Sequence, residues 1–207
     1  MSDRLMRFVL ELRQAGVTDA RALSALERTP RAHYAPAHLE ALALDDVGLP
    51  LAHAQTMTKP SVVGRVIAAL APQAGDLVLE VGTGSGYQAA AIADLARKVV
   101  TLDRWADLVD AARARFSSAR QTRVYTFHAD GFDGWEDEAP YDRIVINAAV
   151  ADLPLPLLDQ LKPGGVLVAP VGDADRQLLI RYCNGAREDL GPIKFHPLER
   201  GLGDAPN

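Results

Sequence analysis

Residues 78–88, reading Val-Leu-Glu-Val-Gly-Thr-Gly-Ser-Gly-Tyr-Gln, constrain this chain more than any other stretch. An apolar run interrupted by one acid, Glu80, meets three alternating glycines, Gly82, Gly84 and Gly86, and a helical pattern follows. That order describes a buried strand, a tight turn and a helix N-terminus. Glycine admits positive φ and lets a ligand approach the backbone closely. A helix start presents N–H groups to an anionic group. With Thr83 and Ser85 between the glycines, the segment is predicted to hold a nucleoside-containing cofactor.

The spacing and the acid select among such cofactors. The dinucleotide fingerprint is G-x-G-x-x-G, whereas this chain reads G-x-G-x-G. A carboxylate at Glu80 repels a pyrophosphate but accepts hydrogen bonds from a cationic amino-acid group. S-adenosyl-L-methionine carries such an ammonium. The next apolar run, 99–102, ends in Asp103-Arg104, where an acid suits a ribose diol.

The chain around this motif alternates in period. Residues 5–12 carry a helical stripe ending near Gly16, Thr18-Asp19 is placed to cap a second helix, and Thr29-Pro30 starts a short turn toward Tyr34. Residues 49–58 read as an extended loop, and Thr58-Lys59-Pro60 opens a helix through Leu70. Strands are predicted at 77–81, 98–102, 122–127, 142–147 and 165–171, and helices at 86–96, 105–116 and 155–161. This alternation predicts an α/β fold, a doubly wound, mostly parallel Rossmann-like sheet with helices on both faces. Residues 177–182, the pair Asn184-Gly185 and residues 193–195 predict an antiparallel edge. The organisation expected is an N-terminal helical segment, 1–50, packed on a cofactor-binding domain, 51–207.

Composition narrows the function classes. The net charge is −5 over 207 residues and the isoelectric point near 5.5, with no basic stripe of the kind nucleic-acid enzymes show. Cys183 is the only cysteine, which excludes an intrachain disulfide or a cysteine-based zinc site. No run reaches the ~18 apolar residues of a membrane span. No metal centre, nucleic-acid partner or membrane contact is expected, the cytoplasm is the simplest location, and a monomer is favoured.

Several motifs together resemble the protein-L-isoaspartate O-methyltransferase family over roughly residues 20 to 200. The family's glycine motif is present at Glu80–Gln88 and its Q-T-I-S-x-P loop at Gln55–Pro60. Its D-G-x-x-G segment is present at Asp130–Gly134, and P-[FY]-D-x-I at Pro140–Ile144. A Gln160–Gly172 run and Phe195-His196-Pro197-Leu198 complete the likeness. The resemblance implies methyl transfer from S-adenosyl-L-methionine to the free α-carboxylate of L-isoaspartyl residues in damaged proteins, a repair reaction. It aligns Thr58 with the active-site serine, although Thr58 also stands where a helix N-cap belongs. It sets Gln55, Thr56, Asp130 and Gly131 beside the cofactor. Asp130 is placed to accept from the adenine amine, or alternatively to make an Asp-Gly turn. His53 and Asn147 are candidates to bind substrate, His53 as a proton-dependent donor and Asn147 from the end of the fourth strand.

The substrate side departs from the family pattern. Ala52 and Ala54 flank His53 where glycines are usual, and alanine there is expected to alter the loop path if positive φ is needed. Thr58 replaces serine, Asn147 a common threonine, Leu44 an aromatic and Glu199 a small or neutral residue. Alternative readings are a same-fold methyltransferase with another carboxylate or small-molecule acceptor, and a cofactor-binding protein without turnover.

Overall fold

A computed structural model describes residues 3–203; Met1, Ser2 and 204–207 of the two expected segments lie outside the described residues. The chain opens with helices α1 (Asp3–Gln14) and α2 (Ala20–Arg28). Asp19 caps α2, accepting from the Ala22 amide at 2.7 Å. Two short strands follow, β1 (Leu49–Pro50) and β2 (Thr56–Met57), then α3 (Pro60–Leu70). The predicted loop 49–58 is thus a small antiparallel hairpin, Leu49 paired with Met57 and Pro50 with Thr56.

Beyond Pro72 the chain alternates. The elements are β3 (Leu77–Val81), α4 (Tyr87–Leu95), β4 (Lys98–Asp103), α5 (Ala106–Ser118), β5 (Val124–His128), β6 (Tyr141–Ile146), α6 (Leu155–Asp159) and β7 (Leu161–Gly172). Strands β8 (Gln177–Cys183) and β9 (Ala186–Ile193) close the order. The sheet runs β5-β4-β3-β6-β7-β8-β9. Pairings from β5 to β7 are parallel and the last two antiparallel. The chain leaves β3 for β4 on one side, and β6 returns to the other, so the strand order reverses at β3. A crevice opens beyond the carboxyl ends of strands at such a reversal.

Several predicted boundaries move: the strand at 165–171 starts at Leu161 and the one at 122–127 at Val124. Helix α6 ends at Asp159 rather than 161, because Leu161 already pairs with Tyr141 as the first residue of β7. The last strand is Ala186–Ile193 rather than 193–195, and Asn184-Gly185 turn at φ 49° and 82°. Phe195 is held instead by the Gln177 side chain, which accepts from its amide at 2.7 Å and donates to its carbonyl at 3.1 Å.

All five residues of β3 are buried, as expected for a central strand covered on both faces. One core cluster joins Phe8, Leu12, Leu23 and Leu26 of the first two helices to Ile92 of α4 and Val145 of β6. A second, with Leu79, Leu102, Ile144 and Leu157, fills the other face. The N-terminal helices therefore complete one face of the sheet. Among the described residues, no helix is long and apolar enough to cross a membrane.

Candidate cofactor and acceptor site

The glycine turn bends back over the end of β4. The amides of Gly82 and Thr83 both donate to the Leu102 carbonyl, at 2.8 and 3.0 Å. Gly84 donates to Asp103 Oδ2 at 2.8 Å. The glycines serve different ends. A Cβ on Gly84, at φ 51°, would point into open space with only Leu51 at 3.6 Å, so a ligand can approach the backbone there. A Cβ on Gly86 would strike Phe116 at 2.6 Å. Gly86 thus serves helix packing and lines none of the spaces described below. The amides of Ser85 and Gln88 reach no backbone carbonyl among the described residues, so the first turn of α4 keeps donors for an anionic group.

Three spaces meet at Gln55 and Asn147. The first is lined by Gln55, Thr56, Thr58, Gly84, Ser85 and Asp103, among others. The second, about 250 Å³, extends along His53, Asp103, Arg104, Trp105, Gly131 and Leu198. The third, a groove of about 510 Å³, opens on the other side of Thr58. Two adjoining cavities beside an approachable glycine turn, with one acid facing both, fit an extended nucleoside bearing a charged tail. The fit rests on Gly84 and Asp103.

Asp103 is 8% exposed. Burial raises its carboxyl above the usual range, opposed by the amides of Gly84 and Trp105 that it accepts. Glu80 behaves differently from expectation. It lies wholly buried and lines none of the three spaces. Its carboxylate accepts from Thr101 Oγ1 at 2.7 Å and Asn147 Nδ2 at 3.0 Å. Burial pushes its carboxyl up to about 7, against the hydrogen bonds from Thr101, Asn147 and Gln88. Thr101 Oγ1 in turn meets Thr83 Oγ1 at 2.8 Å, which links the buried acid to the cavity wall.

Asn147 lines all three spaces but is already committed. It donates to Glu80 and to the Gly82 carbonyl at 3.1 Å, and accepts from Gln88 Nε2 at 2.7 Å. Its polar atoms knit β3, β6 and α4 together at the crevice. Asp130 likewise supports the turn reading. Its carboxylate accepts from the amides of Phe132 at 2.9 Å and Gly201 at 2.6 Å, and Gly131 rather than Asp130 lines the cavity. Arg104 lines the second cavity but spends its guanidinium on the chain's end, donating to the Gly201 carbonyl at 3.1 Å and pairing with Glu199. The Glu199 departure thus has a local partner. Leu44 is half-buried against the core.

The loop before α3 holds Thr58. Its hydroxyl caps nothing: Lys59 is the N-cap residue, and Asp46 takes the Ser61 amide at 2.7 Å. The capping expectation for Thr58 therefore fails, because an acid from the preceding segment fills that place; Thr58 itself lines the first and third spaces. His53 is not a free surface residue. Its ring stacks on Trp105 at 3.9 Å and 1°, and Nε2 lies 2.8 Å from Asp107. Gln55 donates to the His53 carbonyl at 3.1 Å. His53 and Ala54 both take the left-handed conformation, φ 55° and 53°, whereas Ala52 does not. Ala54 itself adopts the left-handed conformation that a glycine would take without strain.

Sequence reasoning missed two residues. Trp105 forms a wall of the second cavity, and its place after Asp103-Arg104 was the available signal. Arg31 is 1% exposed. Its guanidinium donates to the carbonyls of Ala43, Val47 and Thr58 at 3.2, 2.8 and 3.3 Å. Burial lowers its pKa. No local sequence signal marks a lone arginine that fixes a loop far along the chain.

A family model described as protein-L-isoaspartate(D-aspartate) O-methyltransferase matches residues 4–195. A Ruegeria pomeroyi protein-L-isoaspartate O-methyltransferase is 47% identical over 203 residues, covering 96% of this chain and 94% of the relative. Its Paracoccus denitrificans counterpart is 45% identical over 207 residues, covering 98% and 96%. A Plasmodium falciparum protein-L-isoaspartate O-methyltransferase structure, complexed with S-adenosyl-L-homocysteine, shares the fold. Its TM-score is 0.79 at 21% identity, over 93% of this chain and 97% of that one.

Proposed function

We propose, for a chain that belongs to the protein-L-isoaspartate(D-aspartate) O-methyltransferase family, that the spaces around Gln55 bring cofactor and acceptor together at Thr58. The function is S-adenosyl-L-methionine-dependent methyl transfer to the free α-carboxylate of L-isoaspartyl residues, the chemistry of protein repair. When bound, the cofactor supplies an electrophilic sulfonium methyl.

The residues divide the remaining work. Gly82, Thr83, Gly84 and Ser85 would hold the cofactor's amino-acid end, Asp103 would accept from its ribose hydroxyls, and Trp105 and Gly131 would wall its base. Gln55 and Thr56 border the junction. An acceptor carboxylate is already ionised near neutral pH, so no general base is needed. The protein contributes proximity, alignment and exclusion of water. Thr58 would donate its hydroxyl hydrogen to one oxygen of the acceptor carboxylate and so hold the acceptor beside the cofactor cavity. Arg31 holds the Thr58 backbone, and the stacking of His53 on Trp105 closes the loop over the cofactor side.

The observation that carries this reading is the uncommitted Thr58 hydroxyl at the wall shared by the first and third spaces. Thr58→Ala is expected to lower kcat at least about ten-fold, the scale of a lost transition-state hydrogen bond, while Thr58→Ser keeps most of it. Cofactor affinity, followed by calorimetry, should change less than about two-fold. An equal loss of affinity and turnover would make Thr58 part of the cofactor loop instead. A monomer acting on proteins in the cytoplasm, without nucleic-acid or membrane partners, is the setting that the acidic charge and the lone cysteine support.

A further inference from the structure

The groove beyond Thr58 has a charge that methyl transfer itself does not demand. It runs between the start of α3 and the segment after β9, and Val62, Phe195 and Pro197 give it an apolar floor. Lys59 stands on one side and Lys194 on the other. Among the described residues no carboxylate lines it, although the whole chain has a net charge of −5. Each lysine has one acid near it from outside the lining, Asp46 beside Lys59 and Asp173 beside Lys194. Asp46 Oδ2 is 3.8 Å from Lys59 Nζ, while its Oδ1 holds the Ser61 amide. Asp173 accepts from the amides of Asp175 and Arg176, each at 2.9 Å. Lys194 donates to the Ala174 carbonyl, which fixes its ammonium at the groove. The Lys59 side chain stays 48% exposed. Lys59 directly follows Thr58, so a segment whose reacting carboxylate reaches Thr58 lays its neighbouring residues across both lysines.

We propose that Lys59 and Lys194 are specificity-determining residues that favour isoaspartyl sites flanked by acidic residues. This rests on the functional reading above. Opposite charges across an open groove attract, and an exposed pair contributes a few-fold in affinity that salt screens. Two lysines therefore bias acceptor choice without touching the reacting atoms.

The test uses three isoaspartyl peptides that differ only in the residues on either side of the site: Glu, Gln or Lys. At low salt, kcat/KM for the Glu-flanked peptide should exceed that for the Lys-flanked one about ten-fold. The ratio should fall to about two-fold near 0.5 M salt. In the double variant Lys59→Gln, Lys194→Gln the ratio should collapse toward one, with the Lys-flanked peptide gaining as the Glu-flanked one loses. Equal kcat/KM for all three peptides, or an ordering that survives in the double variant, overturns this inference alone. Methylation of none of them overturns the functional reading and this inference with it.

Discussion

Glu80 sits where a charge is least welcome, wholly buried under the glycine turn, with its carboxyl raised to about 7 by that burial. The sequence made this acid visible but suggested a ligand contact. A carboxylate two residues before a glycine turn reads the same whether it points up to the cavity or down into the sheet. Thr101, Asn147 and Gln88, distant in sequence, decide the matter. The raised pKa has a stability consequence with a definite sign. The folded state holds this proton more tightly than the unfolded chain, so stability is greatest below the ordinary value of 4.5 and is lost as pH rises through about 7. The loss is roughly 3 kcal/mol, since each pH unit between the two values is worth about 1.4 kcal/mol. Glu80→Gln should therefore be nearly neutral at pH 5 and stabilising at pH 8. Thermal melts of both proteins across that range check this, and parallel profiles would show that Glu80 does not titrate between them. Gly84 was legible as a turn glycine, and a Cβ there would meet only Leu51. Gly86 was not distinguishable from it, because the Phe116 ring that requires a glycine there comes from α5.

At the scale of elements, the β1–β2 hairpin carries two of the departures, Ala52 and Ala54, beside the site. Its turn holds Ala54 at φ 53°, a conformation costing a non-glycine residue about 1 kcal/mol. The neighbouring contacts that hold this strain are His53 on Trp105, His53 with Asp107, and Gln55 on the His53 carbonyl. Ala54→Gly should relieve it and raise stability by about 1 kcal/mol, some 2–4 °C in Tm for a chain of this size. Unchanged or lowered Tm would mean that the turn is not strained in solution. Periodicity could not show this hairpin, since each strand has only two residues. The helix after it was legible through Pro60, but its cap was not. Thr58 has the right residue type and position, yet the capping acid is Asp46, from a segment without regular period.

At the scale of the molecule, the alternation of runs after Pro72 was enough to read a doubly wound sheet, because each strand and helix carries its own period. The order β5-β4-β3-β6-β7-β8-β9 comes from long-range pairing that no local pattern encodes. That order creates the crevice at the end of β3, where the glycine turn, Asp103 and Asn147 converge. Segments after α2 and after β9 then brace it from two sides. Arg31 reaches the Thr58 carbonyl from one, and Arg104 with Asp130 pins Gly201 from the other. The decisive assay for a crevice built this way is transfer of labelled methyl from S-adenosyl-L-methionine to a short isoaspartyl peptide, with the matching aspartyl peptide as control. Label in the isoaspartyl peptide alone, released by base as an ester, is the predicted result. Cofactor binding with no label in that peptide, or equal label in both, would contradict it.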